Sequence, residues 1–266
     1  MTINIRPETP ADYYAVEELT REAFWAFWEN DRQICDEHLL THKLRQSKDF
    51  VPELDCVAIV DDKPVGHIIY SKSRIEDDAG KSHDMLTFGP LAVLPDYQNM
   101  GIGKALMLHT FGIAQRLGFR AVLIFGHPDY YPRAGFRRAS EFGITTPDGE
   151  VFDAFMAYQL YDGALDGISG RYFICDEYWE LSQEDVLEFD KRFPSKERYV
   201  PIPISVLYDR LMPKAKAALQ TLNFMSLKTM TSKSESEISA LDGVDNVALT
   251  TIRSVMRENG LRWGEC

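Results

Sequence analysis

Cysteines are few in this sequence, and long apolar runs are absent. The four cysteines, Cys35, Cys56, Cys175 and Cys266, are widely spaced among 266 residues and form no metal-binding pattern. No run of 18 or more apolar residues exists, so we expect no membrane-spanning helix. Met1–Arg6 lacks the basic segment and apolar core of a signal peptide. From these absences we expect a reduced, cytoplasmic protein that binds neither a metal nor a membrane.

The composition is that of a globular chain with an uneven charge. Hydrophobic residues make up 45% of the sequence, which is ample for a core, and the length suits one large domain or two. The net charge is −12, but residues 196–266 carry 10 basic and 8 acidic residues, so the acidity lies in the first 195 residues. An acidic domain would attract cationic substrates such as amines, although the charge could equally serve solubility alone.

The stretch from Leu86 to Leu106 predicts an anion site. Its apolar run predicts a buried strand that ends before Pro95, and a helical pattern runs from Ala105 to about Leu117. Free N–H groups and the dipole at a helix start favour a bound phosphate, and glycines let it approach the backbone. The strand contributes Leu91, Ala92 and Val93 to this candidate site, and the turn contributes Gln98, Asn99, Met100, Gly101, Ile102, Gly103 and Lys104.

The spacing in the turn separates this site from two common phosphate motifs. A P-loop needs a glycine where Gln98 stands and a Ser or Thr where Ala105 stands. The dinucleotide fingerprint needs a third glycine where Leu106 stands. The remaining pattern, Gln98-x-x-Gly101-x-Gly103, resembles the pyrophosphate loop of the GNAT acetyltransferase superfamily. The plain alternative is a strand–helix turn without a ligand.

A second stretch strengthens the resemblance. After the apolar strand Ala121–Phe125, the chain runs Gly-His-Pro-Asp-Tyr-Tyr-Pro-Arg-Ala-Gly-Phe to Phe136. GNAT enzymes carry a tyrosine four residues before such a Gly-Phe pair, beside the coenzyme A thiol, and that position is Tyr131 here. The doubled tyrosine and the Gly-His-Pro-Asp segment before it, which contains His127, are similar to those of a bacterial subgroup, the YhbS-like acetyltransferases.

The resemblance implies a GNAT fold of the α+β class, with a mixed central sheet flanked by helices, over residues 1–165. The predicted order of elements is β-α-α-β-β-β-α-β-α-β-β. It includes a helix after Asp12 as the cap, a hairpin through Asp61–Pro64 and a loop at Ser73–Ser82. Residues 166–198 are predicted to be an extension and linker. Trp25, Phe27 and Trp28 are candidates either for the acceptor wall or for the core.

The tail, residues 199–266, has a helical pattern, with an amphipathic helix at Val247–Met256 that Gly260 ends. It resembles the C-terminal domain of the bacterial RNA polymerase alpha subunit, which implies a small all-α, helix–hairpin–helix-like domain. That family's Gly-Lys-Lys-Ser segment falls on Asp245–Ala248, where its phosphate donors are missing. We therefore expect packing or protein contact, and no nucleic-acid binding, although such a fold permits it. The positions that carry the resemblance are Leu219, Asn223, Phe224, Leu241, Leu249, Ile252, Gly260 and Leu261. The family's arginine falls on Lys214, and its asparagine falls on Ala217.

For the chemistry, the resemblance implies acetyl transfer from acetyl-CoA to a primary amine of a small molecule or a protein. Tyr131 is the implied acid for the leaving thiolate, and its alternative role is packing. A backbone N–H near Leu91–Val93 suits the thioester carbonyl. The sequence assigns no base. The candidates are Glu22, His67, His83, Asp84 and His127, and His127 could instead contact the pantetheine arm.

The alternative function is an acyl-CoA-binding regulatory or interaction protein whose helical tail binds a partner. Tyr131 beside an intact phosphate loop favours the enzyme. The acceptor cannot be read from the sequence, and a homodimer remains open.

Overall fold

The computed structural model describes residues 2–25, 35–196, 202–222, 224, 226–261 and 263. The described residues divide into two compact units, one ending at Ser195 and one beginning at Lys196. Phe27, Trp28 and Asn223, which the sequence analysis singled out, lie outside the described residues.

The first unit contains nine strands and four α-helices among its described residues. In chain order they are β1 Asn4–Pro7, α1 Tyr13–Phe24, α2 Glu37–Leu44, β2 Cys56–Val60, β3 Lys63–Glu76, β4 Ser82–Val93, α3 Ile102–Arg116, β5 Ala121–Phe125, β6 Arg137–Arg138, β7 Ile144–Thr145, β8 Phe155–Gln159, β9 Gly170–Phe173 and α4 Gln183–Asp190. A short 3-10 helix, Tyr131–Ala134, follows β5.

The strands form one mixed sheet. Its order is β1-β2-β3-β4-β5-β8-β6, and β9 pairs with β3 and β7. The β4–β5 and β7–β9 pairs are parallel, whereas the other pairs are antiparallel. The mixed sheet with helices that the sequence predicted is therefore present. Strand β9 extends the sheet beyond residue 165, so the compact unit includes most of the segment predicted to be an extension and linker.

Apolar side chains of β4 and β5 alternate between two cores. Leu86, Val122 and Ile124 face a core that includes Leu106 and Phe111 of α3. Met85, Ala121 and Leu123 face a second core, which contains Tyr172 of β9. Helix α3 lies so close to β3 that a Cβ on Gly66 would stand 2.8 Å from Ile102 Cγ2.

The predicted hairpin is confirmed, whereas the predicted loop at Ser73–Ser82 is shorter than expected and covers only residues 77–81. Asp61 and Asp62 have positive φ values of 47° and 60°, and Val60 lies opposite Lys63, as in a two-residue hairpin. Strand β3 then continues to Glu76, and β4 begins at Ser82. Exposed polar residues alternate with buried residues in this part of β3. Its hydrophilic outer face therefore makes the sequence look like a loop.

Asp12 precedes α1, but the predicted side-chain cap is absent. Both carboxylate oxygens of Asp12 instead accept hydrogen bonds from Arg6, at 2.7 and 2.8 Å, and one also accepts from the Thr9 N–H. The Arg6 hydrogen bonds hold the pKa of Asp12 well below its usual range. Asp12 therefore ties β1 to the turn that leads into the helix.

Strand β4 contains a bulge that opens the sheet. Ile68 pairs with Leu91 and Tyr70 with Phe88, so Gly89 and Pro90 together oppose one residue of β3. The only paired position between β4 and β5 is Leu86 with Val122. Beyond it, β4 stays with β3 while β5 stays with β8, and an opening forms between them.

The second unit is helical in its described part. Its helices are α5 Ser205–Tyr208, α6 Pro213–Gln220, α7 Glu235–Ser239 and α8 Asn246–Glu258, which pack around a core of Leu207, Leu219, Leu227, Met230, Ile238, Ile252 and Val255. Helix α8 contains the predicted amphipathic segment, and Gly260 follows it with φ 71°. The predicted resemblance to the polymerase domain remains a prediction. No described helix in the chain combines the length and apolar character required to cross a membrane.

Candidate active site

The turn before α3 presents unpaired backbone donors. Gly101, at φ 83°, precedes the first helical residue, and the first N–H of this helix to find an i−4 acceptor belongs to Ala105. The N–H groups of Ile102, Gly103 and Lys104 have no acceptor among the described residues. Three free amides at the positive end of a 15-residue helix form a site suited to an anion.

Gly103 lies where any side chain would close this site. A Cβ there would stand 3.0 Å from the hydroxyl of Tyr130 and within 3.8 Å of side-chain atoms of Leu91 and Val93. The absence of a side chain at Gly103 lets these three side chains lie close to the first helical turn. The two side chains of β4 form the apolar floor of this site.

Other predicted turn residues divide between side-chain and backbone roles. The Gln98 amide donates to the Val93 carbonyl at 3.1 Å, which fastens the turn to the end of β4. Ile102 is buried in the core and can offer only its N–H, which the sequence alone did not show. Ala92 packs against Leu19 and Ala23 of α1 and does not face α3. The residues exposed at the turn are Asn99, Met100, Gly101 and Lys104.

Tyr131 lies beside the opening between β4 and β5. Its ring centroid is 5.9 Å from that of Phe88 on β4 and 5.4 Å from that of the buried Phe136. A Cβ on Gly126 would stand 2.3 Å from Tyr131 Cε2, so the ring lies directly against the backbone that ends β5. Its hydroxyl has no hydrogen-bond partner among the described residues. Burial raises the pKa of Tyr131, so the phenol is protonated at neutral pH.

Two tyrosines that the sequence analysis missed border the opening. Tyr172 on β9 donates to the Leu123 carbonyl of β5, and Tyr178 donates to the Gly89 carbonyl in the β4 bulge, each at 3.2 Å. Each hydroxyl therefore satisfies a carbonyl on one side of the gap. Both tyrosines come from the predicted extension, and no local motif marks them.

The structure separates three of the base candidates from the opening. His83 Nε2 and the Asp77 Oδ2 atom form a 2.9 Å hydrogen bond in the turn between β3 and β4. Asp84 stands near that same turn, and seven residues of strand at about 3.3 Å each separate it from Leu91 by roughly 20 Å. His67 is fully buried, 2.7 Å from Asp55. None of the three is placed to accept a proton from an acceptor amine.

The other two candidates remain near the relevant elements. His127 is largely exposed, and its Nδ1 accepts the Asp129 N–H at 3.2 Å. Glu22 is adjacent to Ala23 on the turn of α1 that packs against Ala92. Trp25, at the end of α1, lies under the Arg21 guanidinium, 4.5 Å from its ring centroid. The base is therefore not assigned by geometry.

His67 belongs to a buried cluster with Glu8 and Asp55, whose potential ligand atoms lie within 4.8 Å of one another. Arg45 donates to both oxygens of Glu8, at 2.7 and 2.8 Å. Burial raises the pKa of Glu8 to about 7 and of Asp55 to about 6, and lowers that of His67 to about 4. Since Arg45 already occupies the Glu8 carboxylate, the cluster holds β1, α2 and β3 together as a structural network.

The region that contains the turn and Tyr131 matches the model of a known family. Residues 17–136 match the model of the Acetyltransferase (GNAT) family. The described part of the matched region lies within the first unit, and the region begins in α1 and ends at Phe136, so it contains the anion turn and Tyr131.

Two proteins of Escherichia coli K12, both of them uncharacterized N-acetyltransferases, are similar to part of this chain. YjhQ is 34% identical over 97 residues, which cover 36% of this chain and 53% of YjhQ. The chain thus spans about half the length of that relative. YhbS is 29% identical over 167 residues, which cover 62% of this chain and 92% of YhbS.

Solved GNAT structures show the same architecture. The E. coli YhbS structure in complex with CoA has a TM-score of 0.58 and 25% identity, and covers 68% of this chain and 93% of YhbS. A Brucella melitensis GNAT acetyltransferase in complex with acetyl-CoA has a TM-score of 0.52 and 24% identity, over 66% of this chain and 98% of that protein. The second likeness concerns the fold alone.

Proposed function

We propose that the first unit is an acetyl-CoA-dependent N-acetyltransferase that acts on a primary amine of a small molecule or a protein. The observation that carries this proposal is the row of free amides at Ile102, Gly103 and Lys104, next to the opening that Tyr131 borders. The partial positive charge of the free amides complements the negative charge of a pyrophosphate, and the backbone at Gly103 bears no side chain that would hinder its approach. The YhbS structure contains CoA, which supports the same ligand for this chain.

Acetyl-CoA would supply a thioester carbonyl, and the transfer exchanges its C–S bond for a C–N bond to the amine. In this proposal the amides of the α3 turn hold the pyrophosphate and exposed Lys104 adds positive charge. A backbone N–H of β4 near Leu91–Val93 donates to the developing oxyanion. Tyr131 gives its phenolic proton to the departing sulfur, while a base takes the proton from the amine.

Thiol release tests the activity. Purified full-length protein is incubated with acetyl-CoA and a panel of small amines and lysine peptides, and free thiol is measured against time. We expect release that depends on at least one amine. A matched reaction with Gly103→Glu, which places bulk and like charge at the anion site, should show no release and no CoA binding by calorimetry.

The alternative, an acyl-CoA-binding regulatory protein, predicts a different result. In that case calorimetry detects acetyl-CoA binding by the native chain, but no amine accelerates thiol release. Unchanged CoA affinity in Gly103→Glu would contradict the site itself under either function.

A further inference from the structure

The side chain of Tyr130 occupies a place that its neighbour Tyr131 does not. The two rings meet edge to face, with centroids 5.0 Å apart and an interplanar angle of 87°. Tyr131 turns towards Phe88 and Phe136, whereas Tyr130 reaches across to α3. Adjacent tyrosines of one short segment therefore serve two separate regions of the site.

The Tyr130 hydroxyl lies on the side of α3 from which an anion would approach. It stands 3.0 Å from the position that a Gly103 Cβ would take. Because Cα–Cβ bonds of a helix tilt towards its N-terminus, that position lies on the same end of the helix as the free amides. The oxygen is thus next to the proposed pyrophosphate position.

This hydroxyl is available as a donor. It makes no hydrogen bond to any described residue. Tyr130 is 44% exposed, and its ring packs against the ring of Tyr131. Partial burial raises the pKa of Tyr130, which keeps its proton in place at neutral pH. A neutral phenol beside three free amides adds a fourth donor without adding charge.

We propose that Tyr130 is a cofactor-binding residue whose hydroxyl donates a hydrogen bond to the pyrophosphate of CoA, while Tyr131 serves the thiol end. This inference rests on the proposed function, since it presumes that the α3 turn binds CoA. It divides the Tyr-Tyr pair into an anion ligand and a proton donor. It also gives Gly103 a second reason to lack a side chain, because a methyl group there would press on the Tyr130 oxygen.

Calorimetry with three ligands tests the assignment. CoA and 3′-dephospho-CoA both contain the pyrophosphate, whereas pantetheine lacks it. In Tyr130→Phe, affinity for CoA and for dephospho-CoA should fall by about ten- to a hundredfold, the usual range for a hydrogen bond to a charged group. Pantetheine affinity should stay within about twofold, because it carries no phosphate for this hydroxyl.

Two variants serve as controls for the calorimetry. Tyr131→Phe should keep CoA affinity within about threefold. The exposed Tyr161→Phe should match the native chain in all three titrations, and thermal melts without ligand should agree among all variants. Unchanged or tighter CoA binding by Tyr130→Phe overturns the proposal. A loss for CoA alone would place the hydroxyl at the 3′-phosphate, and an equal loss for pantetheine would place it on the arm; either result also overturns it.

A double-mutant cycle adds a second readout. Gly103→Ala should weaken CoA binding, and adding Tyr130→Phe should then cost less than it does in the native chain, because the crowded oxygen is gone. Strict additivity would contradict the contact. Failure of the native protein to bind CoA at all would instead reject the proposed function.

Discussion

The hydroxyl of Tyr178 donates a 3.2 Å hydrogen bond to the carbonyl oxygen of Gly89, a residue 89 positions earlier in the chain. Gly89 lies in the bulge that turns β4 away from β5, and a Cβ on it would stand 3.6 Å from the Tyr178 ring. A residue near the C-terminal end of the first unit therefore holds in place the strand that forms one wall of the proposed active site.

Tyr178→Phe keeps the ring but leaves the Gly89 carbonyl without this donor. We expect the loss of one such hydrogen bond to lower the free energy of unfolding by about 1 kcal/mol. The KM for acetyl-CoA should rise by about three- to tenfold, because the bulge is less firmly placed. Chemical denaturation and steady-state kinetics measure the two effects, with Tyr161→Phe as the control. A KM that does not change would show that the bulge is held by its own strand pairing.

Fragments test how much of the chain the cofactor site needs. Residues 1–195 should bind acetyl-CoA without the second unit, since the compact first unit ends at Ser195. Residues 1–165 should fail to bind or should aggregate, because they lack β9 and the donors Tyr172 and Tyr178. Calorimetry and size-exclusion chromatography on both fragments provide the comparison. A soluble 1–165 fragment with native affinity would refute the role given to the last thirty residues.

Tyr131→Phe removes the proposed acid while the ring still packs on Phe88 and Phe136. Turnover should fall by about ten- to a hundredfold. Because burial raises the pKa of Tyr131 above the usual value near 10, the native enzyme should show no loss of this acid below about pH 10. A kcat profile against pH for native chain and variant checks both statements. Native turnover in the variant would leave Tyr131 with a packing role only.

The buried Glu8 makes stability depend on pH. Its pKa is raised to about 7 in the folded chain, so folding favours the protonated form, and that stabilisation is lost as pH rises from about 5 through 7. The free energy of unfolding of the native chain minus that of Glu8→Gln should therefore decrease between pH 5 and pH 8. Urea titrations at several pH values measure it. A difference that increases with pH would contradict the buried-acid account.

The second unit should not bind DNA. Asp245 caps α8 by accepting the Ala248 N–H at 2.8 Å, so a carboxylate occupies the helix start where a phosphate would need donors. Many basic side chains of this unit are also paired with acids: Arg210 with Glu258, Lys214 with Asp242, Lys233 with Glu237 and Arg253 with Glu235. Gel shifts with the isolated unit and duplex DNA at low and high salt provide the test. A shift that weakens steeply with salt would show that phosphate contacts exist.

Local patterns carried the first half of this fold. The hairpin at Asp61–Asp62, the strand before Pro95 and the helix after Gly101 all follow from turn residues and periodicity within a few positions of sequence. The short helix at Tyr131–Ala134 lies where the resemblance placed it, before the buried Phe136, and the role of Tyr131 stays a prediction.

The remaining features depend on contacts between distant residues. The outer half of β3 pairs with β9, about 97 residues later, so its polar alternation resembled a loop. Asp12 did not cap α1 because Arg6 occupies its carboxylate. Tyr130 and Tyr178 acquire their roles only when α3 and β4 come near them. No pattern of neighbours in sequence could have revealed these partners.

The extra residue in β4 also shifts the alternation of side chains between the two faces of the sheet by one position. Leu86 and Phe88 face the α3 side before the bulge, whereas Leu91 and Val93 face it afterwards and Ala92 faces α1. If the strand kept all its residues but lost the bulge, regular alternation would send Leu91 and Val93 to the α1 side and Ala92 to the α3 side. The floor beneath Gly103 would then be a single alanine methyl. Deleting Gly89 or Pro90 would remove the bulge but leave Leu91 and Val93 facing α3, so a one-residue gap at this point in an aligned homologue would mark a straight strand with the same groove floor.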